Sequence, residues 1–516
     1  MKLTFAAALA AFACASPALA QPNVVIILTD DQRADTLQYM PTVESELMAK
    51  GVTFDNAFVV NPVCCPSRAS ILTGRWSHST GVWGIDGDYG GFHVFNDAST
   101  LPVWLDRAGY KTALIGKYLN GYADGSYLPP GWDRWFAHTL HPNAYYGWEA
   151  SDGGSAASFG SAPGDYNTDV LADRAVDFIT DSGSDPFFLY FAPKAPHTSG
   201  SYHTTPAARH EGFYAGLTPW RPPNVNEADV SEKPDYIRSL ATIPWASLDG
   251  LRESQLESLL AVDDAVGRML AALAETGKLQ ETLIVFMSDN GHEWGEHRRA
   301  HKIVPYEESL RVPLVIRWDA LGARGVSDRF ALNVDIAPTI AAAAGIDAPK
   351  AEGRNLLPLL TGTASSWRNR FLIEDRMEPR WAVPAYCGYR GERWKYIQYA
   401  TGEEELYDLV RDPYELENLA AMRRARVMDY RTAIRRSPCD PPGLRPLSLC
   451  TIHGTPNADR IHGTRRRDWV CAGRGRDVVN VLGGGADVVR CGRGFDRVRV
   501  GSRDRVVGRK CEQVLH

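Results

Sequence analysis

The chain has 516 residues, 44% of them hydrophobic and 23% charged, with a formal net charge of −6. That length and apolar content suffice for one large core with smaller satellites, and the acidic balance gives no reason to expect a nucleic-acid partner. Beyond the first twenty residues no stretch reaches about 18 consecutive apolar residues, which excludes a transmembrane helix.

Met1–Ala20 reads as a signal peptide. Lys2 supplies the positive start, Leu3–Cys14 the apolar stretch, and Ala18-Leu19-Ala20 an A-x-A-type cleavage site before Gln21. A lipoprotein anchored through Cys14 is the competing reading, but Ala11-Phe12-Ala13 lacks the leucine expected three residues upstream. The mature protein is therefore expected to be secreted or periplasmic, where disulfides are permissible.

Four short apolar runs then end in residues that can do chemistry. Val24–Leu28 leads into Thr29-Asp30-Asp31-Gln32, and Thr112–Ile115 into Gly116-Lys117. Phe187–Phe191 leads into Ala192-Pro193-Lys194-Ala195-Pro196-His197, and Leu283–Met287 into Ser288-Asp289-Asn290-Gly291. Runs of this length bounded by turn residues read as buried strands. Ser254–Thr276 has apolar residues at helical spacing. Alternating strands and helices predict an α/β fold whose mostly parallel sheet is covered on both faces, with ligands beyond the carboxyl ends of the strands. Gly121–Gly164 and His197–Asp249 have no clear periodicity and read as long surface excursions that shape substrate choice.

From residue 370 the pattern changes. Trp381–Ala400 and Glu403–Leu409 read as antiparallel strands and Asp412–Ala433 as a closing helix, so 370–436 is expected to form a small second unit after a main body of 21–369. Pro-rich residues 437–449 read as a linker, and 450–516 as a separate module. Over Pro441–His516 there are 15 basic and 7 acidic residues, a surplus of 8, which leaves the rest of the chain at −14. An acidic body and a basic tail imply different surface roles, with the tail suited to a cell-wall or polyanion contact. Setting aside Cys14, Cys64 and a buried free Cys65, six cysteines remain; we expect Cys387–Cys439 to pair in the body and Cys450, Cys471, Cys491 and Cys511 among themselves.

The most informative segment is Cys64-Cys65-Pro66-Ser67-Arg68-Ala69-Ser70-Ile71-Leu72-Thr73-Gly74. It matches the pattern C-x-P-S-R-x-x-x-L-T-G at every fixed position, and the chain from about Pro22 to Ala420 resembles the type I, formylglycine-dependent sulfatases. Gly116-Lys117-Tyr118-Leu119-Asn120 and the doubled Cys64-Cys65 resemble their N-acetylglucosamine-6-sulfatase-like branch. Glu404–Leu409, Asp412-Pro413 and Glu417–Ala420 resemble the family's small C-terminal subdomain. The resemblance implies an alkaline-phosphatase-like sandwich and a sulfuric ester hydrolase acting on a sulfated sugar or aryl sulfate. It also implies a maturation partner, the formylglycine-generating enzyme, which would convert Cys64 to 3-oxoalanine.

Carried over residue by residue, the metal ligands are Asp30, Asp31, Cys64 (as formylglycine), Asp289 and Asn290. An oxygen-rich, strongly acidic set suits Ca²⁺ or Mg²⁺. Asp-Asp after a strand would by itself more often be a helix cap or a solvated turn; the other motifs weigh against that. Arg68, Lys117, His197 and Lys302, the last within His301–Ser309, would supply positive charge to the sulfate and a proton to the leaving alcohol. Many sulfatases carry a histidine two residues after the lysine that matches Lys117; here that residue is Leu119. The base for sulfate release is then sought in His292 first, with His297 and His78 after it.

In the tail, aspartates at 459, 468, 477, 487, 496 and 504 recur at separations of 9, 9, 10, 9 and 8. This resembles the haemolysin-type nonapeptide that winds a parallel β-roll. Arg474, Arg476, Arg493 and Arg497 stand where the calcium-binding form has glycines, and only Gly483–Asp487 stays close to it, so a disulfide-stapled roll with weak or no calcium binding is expected. Two other functions compete with sulfate-ester hydrolysis. One is a phosphonate or phosphodiester hydrolase of the same superfamily; the other is a polysaccharide-binding protein with a degenerate catalytic body.

Overall fold

The computed structural model describes residues 21–439 except 140–143 and 377–380, and in the tail 452–455, 457–464, 468–472, 476–482, 487–491, 496–501, 504–507 and 513–515. The signal-peptide reading, Cys450, Cys511, Gly483–Ala486 and most of the expected linker fall outside these residues.

The four apolar runs form the middle of a ten-stranded sheet: β1 (Asn23–Thr29), β2 (Lys111–Gly116), β3 (Phe187–Ala192) and β4 (Thr282–Ser288). They are parallel and ordered β4-β1-β3-β2. Alternation sends Val24, Ile26 and Leu28 into one apolar core and Val25 and Ile27 into the other, so both faces of β1 are covered. The first core is closed by α1 (Cys64–Thr73), the second by α2 (Asn167–Asp181) and α3 (Trp245–Glu275). The helix expected from Ser254 thus begins nine residues earlier, after Pro244.

The edges depart from the parallel rule. Residues 314–318 pair antiparallel with β4 and are followed by 52–54 and 325–327. On the far side 134–138 pair parallel with β2, then 149–152 and 155–158 add an antiparallel hairpin. These last three strands lie inside the segment read as a loop excursion, so that reading is corrected.

Beyond the main sheet, Arg370–Asp375, Tyr386–Gly391, Trp394–Tyr399 and Glu404–Asp408 form a four-stranded antiparallel meander. Its cover is α4 (Arg424–Arg436), whose Val427 and Ile434 pack with Leu372, Tyr396 and Leu406. The helix expected from Asp412 starts twelve residues later. The Asp412 carboxylate instead accepts the backbone N–H groups of Leu416 and Glu417, and Glu415 takes φ +55°, so the chain turns there. Cys387 and Cys439 are disulfide-bonded, Cys471 and Cys491 also engage in disulfides, and Cys64 and Cys65 are free and buried.

The tail strands form two parallel four-stranded sheets, 452–453, 469–471, 488–490 and 505–507 in one, and 460–462, 478–480, 497–499 and 513–515 in the other. Ile461, Val470, Val479, Val489 and Val498 fill the core of this module.

Candidate active site

Because β1 to β4 are parallel, their carboxyl ends share one edge of the sheet, and the polar residues that follow them meet there. Asp30 leaves β1 beside Pro196, and its N–H donates to Ala195 O at 3.2 Å. Asp31 takes φ +69°, a left-handed conformation uncommon for a residue with a side chain, and its N–H donates to Asp289 Oδ1 at 3.2 Å. The Lys117 N–H reaches Ala192 O at 2.8 Å only because residue 116 is glycine. Gly116 sits at φ +119°, and a Cβ there would lie 2.1 Å from that same oxygen.

Cys64 opens α1 after an extended Val63, so its side chain stands at the positive end of the helix. The Cys64 thiol donates to Asp30 Oδ1 at 3.3 Å, and Lys302 Nζ lies 2.7 Å from Sγ and also pairs with Asp31 Oδ1. One turn on, fully buried Arg68 donates from Nε to Asp289 Oδ2 and from Nη1 to Lys117 O, both at 2.7 Å. Lys117 Nζ donates to Asp30 Oδ2 at 2.6 Å. Asn290 Nδ2 donates to Asp31 Oδ1 at 2.7 Å, while the buried Asn290 Oδ1 has no partner among the described residues. His197 Nε2 lies 3.7 Å from Asp31 Oδ2.

Metal-ligating atoms of Asp30, Asp31, Cys64 and His197 lie within 4.8 Å of one another. Asp289 is joined to that group through Arg68 and the Asp31 N–H rather than belonging to it. The set fits a hard divalent cation: two carboxylates converge, with the Asp289 carboxylate and the unpartnered amide oxygen of Asn290 beside them, and the thiol is the one soft atom.

Electrostatics divide the groups into two kinds. Burial pushes the Asp30 and Asp31 carboxyls up, but the cations beside them, Lys117 foremost for Asp30 and Lys302 for Asp31, hold both well below the usual range. Burial likewise works against Lys117 and Lys302 and is outweighed by the facing aspartates, so both ammonium groups stay charged. Burial followed by Asp30 pushes the Cys64 thiol up to about 12, so the unmodified side chain stays protonated and is a weak nucleophile. Burial followed by Lys194 lowers His197 to about 3, and burial lowers His292 to about 4.

All the residues expected at the site, Asp30, Asp31, Cys64, Arg68, Lys117, His197, Asp289, Asn290 and Lys302, are brought together. Of the three candidate bases only His292 remains. It is buried next to Asp31 and Lys302, and its Nδ1 has no hydrogen-bond partner among the described residues. His297 donates or accepts at Glu227, 2.6 Å away, and stacks on Tyr306; His78 is held by Glu374 at 2.9 Å. Both serve those contacts rather than the Cys64 cluster. Lys194 is the residue that sequence reasoning passed over. It is fully buried, its Nζ is 3.0 Å from His197 Nδ1, and burial lowers its ammonium to about 7.

A family model described as "Sulfatase" matches residues 22–346, and one described as "N-sulphoglucosamine sulphohydrolase, C-terminal" matches 295–432. The arylsulfatase of Volvox carteri is 34% identical over 497 residues, covering 83% of this chain and 76% of the relative. The human N-acetylglucosamine-6-sulfatase is 34% identical over 390 residues, covering 71% and 69%. A solved structure titled as a complex with its substrate D-glucosamine-2-N,6-O-disulfate superposes with a TM-score of 0.68 at 26% identity, covering 80% of this chain and 97% of the other. A phosphonate monoester hydrolase of Agrobacterium radiobacter, 21% identical, shares the fold with a TM-score of 0.63 over 80% and 94%.

Proposed function

The chain belongs to the sulfatase family and is a sulfuric ester hydrolase, and from that premise we propose that it is a secreted enzyme that removes sulfate from 6-O-sulfated glucosamine units through a formylglycine made from Cys64. The observation that carries this reading is the placement of Cys64 Sγ between Lys302 Nζ at 2.7 Å and Asp30 Oδ1 at 3.3 Å, at the start of a buried helix. The sugar preference rests on the names of the N-acetylglucosamine-6-sulfatase relatives and of the disulfated glucosamine complex. Secretion rests on the leader motif together with relatives named as extracellular sulfatases.

A hydrated aldehyde at residue 64 would supply two hydroxyls on one carbon, one to attack sulfur and one to expel sulfate. Asp30, Asp31, Asp289 and Asn290 would hold Ca²⁺ or Mg²⁺, which when bound supplies positive charge beside the sulfate oxygens. The chain's own cations do the rest of the electrostatic work. Arg68 fixes Asp289, Lys117 fixes Asp30, and both keep positive charge at the sheet edge where the sulfate is to sit. His197 and Lys302 both lie close to residue 64 or its partners, and Lys302, which keeps its charge, is the one with a proton to pass to a departing alcohol. With Leu119 unable to take a proton, His292 is assigned the release step, since a neutral imidazole with a free nitrogen can accept one.

Two measurements test this together. Mass spectrometry of the Cys64 peptide from protein made with the maturation enzyme is expected to show a loss of about 18 Da, the change from thiol to aldehyde. The converted enzyme is expected to turn over glucosamine 6-sulfate and a nitrophenyl sulfate at least about 100-fold faster than a nitrophenyl phosphodiester, a gap of about 2.7 kcal/mol in barrier. The reverse preference would establish the phosphodiester alternative, and an unconverted, inactive Cys64 the degenerate binding protein.

A further inference from the structure

A second cluster of buried charge lies outside the Cys64 site. A ring nitrogen of His297 and carboxylate oxygens of Glu308 and Glu415 lie within 4.8 Å of one another. His297 is 0% exposed. Its Nδ1 is 2.6 Å from Glu227 Oε2, and in the tautomer that donates there the Nε2 lone pair is free. Nε2 is buried and has no hydrogen-bond partner among the described residues. Glu308 Oε1 accepts from Asn224 Nδ2 at 2.8 Å, while Glu308 Oε2 is buried and unpartnered. Asn224 Oδ1 is unpartnered as well, and Asn224 O accepts the His297 N–H at 2.7 Å. In that tautomer every unpartnered atom of the group, His297 Nε2, Glu308 Oε2 and Asn224 Oδ1, is an acceptor, a combination suited to a cation.

We propose that His297, Glu308 and Glu415 form a second divalent-metal site, for Zn²⁺ or Mn²⁺, that ties the turn after the small sheet to the segment following Lys302. An imidazole with two carboxylates suits these ions better than Ca²⁺. The Glu227–His297 contact is the carboxylate–histidine pair that orients a ligating imidazole. Glu415 is held for the role by the Glu307 N–H, which donates to its Oε2 at 2.9 Å. A cavity of about 490 Å³, lined by Arg33, Glu307, Glu308, Arg311, Arg390 and Tyr414, reaches Glu308 from outside.

Local charge agrees with the geometry. Lys233 pairs with Glu227 and Glu232, and Lys395 pairs with Glu307 at 3.2 Å and with Glu415 Oε1 at 2.5 Å. Because Glu307, which Arg390 also holds, pairs with Lys395 through Oε1, Lys395 keeps a partner when Glu415 turns to an ion. Glu308 has no ion pair among the described residues.

The test uses full-length protein stripped with a chelator, re-equilibrated with Zn²⁺ and desalted, with bound metal measured by mass spectrometry. The Asp31→Asn variant, which disables the catalytic ion site, is expected to keep one equivalent of Zn²⁺ and to gain thermal stability from it. His297→Gln and Glu415→Gln, each combined with Asp31→Asn, are expected to lose both. Co²⁺ added to the folded Asp31→Asn protein is expected to give the visible absorption of a nitrogen- and oxygen-ligated ion, a readout that needs no further variant. Absence of stoichiometric Zn²⁺ in Asp31→Asn, its retention by both double variants, or a Co²⁺ spectrum identical to the aqueous ion would each overturn the site.

Discussion

Whether a buried ionisable residue stays charged depends on what faces it, and the candidate site holds both outcomes within a few ångströms. Asp30, Asp31, Lys117 and Lys302 keep their charges because each faces an opposite one. His138 has no such partner: its Nε2 meets Asn167 Nδ2 at 2.9 Å, and burial followed by Lys194 lowers it to about 3. From an ordinary value of 6.5 down to about 3, the unfolded chain therefore holds a proton that the folded chain refuses. Stability must rise with pH across that window and fall on acidification, by at most about 1.4 kcal/mol per pH unit for this one group. His138→Asn removes the term, so its thermal midpoint is expected to drop less steeply than that of the parent between about pH 6 and pH 4. Parallel curves would show that His138 takes up its proton in the folded state. The same dependence on distant partners sets what could be read from residues alone. Cys64 and Arg68 share one motif, and Lys302 lies in a second recognisable segment, so their meeting at one site was legible. The contacts that hold His297 and His78 were not legible, because Glu227 and Glu374 lie 70 and 296 residues away in the chain. Lys194 stands in the same strand-exit turn as His197, but nothing in its spacing says that its amine turns back onto the imidazole.

At the level of elements, the site depends on strand exits, and the tightest is β2 into Lys117. Gly116→Ala would drive a methyl group into Ala192 O, 2.1 Å from the ideal Cβ position, at a φ of +119° that alanine avoids. Since the atoms met are all backbone of Ala192 on the adjacent central strand, the sheet cannot yield cheaply. The substitution is expected to cost about 3 kcal/mol of stability, seen as a lowered denaturation midpoint. In the fraction that folds it is expected to reduce kcat by about tenfold or more through displacement of Lys117. An unchanged kcat with lowered stability would show that Lys117 does not depend on this exit. The four central strands were legible to within a residue at each end because they are short, continuous apolar runs. Strands 149–152 and 155–158 were not: Glu149-Ala150-Ser151-Asp152 and Ser155-Ala156-Ala157-Ser158 lack β-branched and aromatic residues, and only the pairing of the first onto residues 134–138 and of the second onto the first makes them strands. Periodicity suggested a helix from Asp412, but the Asp412 side chain captures the amides that a helix would need.

For the whole molecule, the division into an acidic body and a basic tail gains a physical basis from the tail's two parallel sheets. Successive coils advance by 18 or 19 residues, as the pairs Ile461–Val479 and Val479–Val498 show. The repeat aspartates are spent internally: Asp477 Oδ1 accepts the Asp459 N–H at 2.9 Å, Asp487 the Asp468 N–H at 2.8 Å and Asp496 the Asp477 N–H at 3.0 Å. Strand alternation then fixes what faces out. Ile461 and Val498 point into the core, so Arg460 and His462 on one strand, and Arg497 and Arg499 two strands away, are exposed on the same sheet. A flat face carrying these arginines is complementary to a sulfated or otherwise polyanionic polymer, and attachment there would hold the −14 body near a substrate that its own charge repels. Each exposed arginine is worth roughly 0.5–1 kcal/mol against such a polymer at low salt and less as salt screens it. Replacing Arg460, Arg497 and Arg499 together with glutamine is therefore expected to weaken retention on a sulfated polysaccharide by roughly tenfold or more at low salt, with the difference vanishing near 1 M salt, where the screening length falls to about 3 Å. Turnover of a small sulfate ester should stay unchanged, since the substituted residues lie on the outer face of the tail module. Equal retention of parent and variant at low salt would show that this face plays no part in polymer binding.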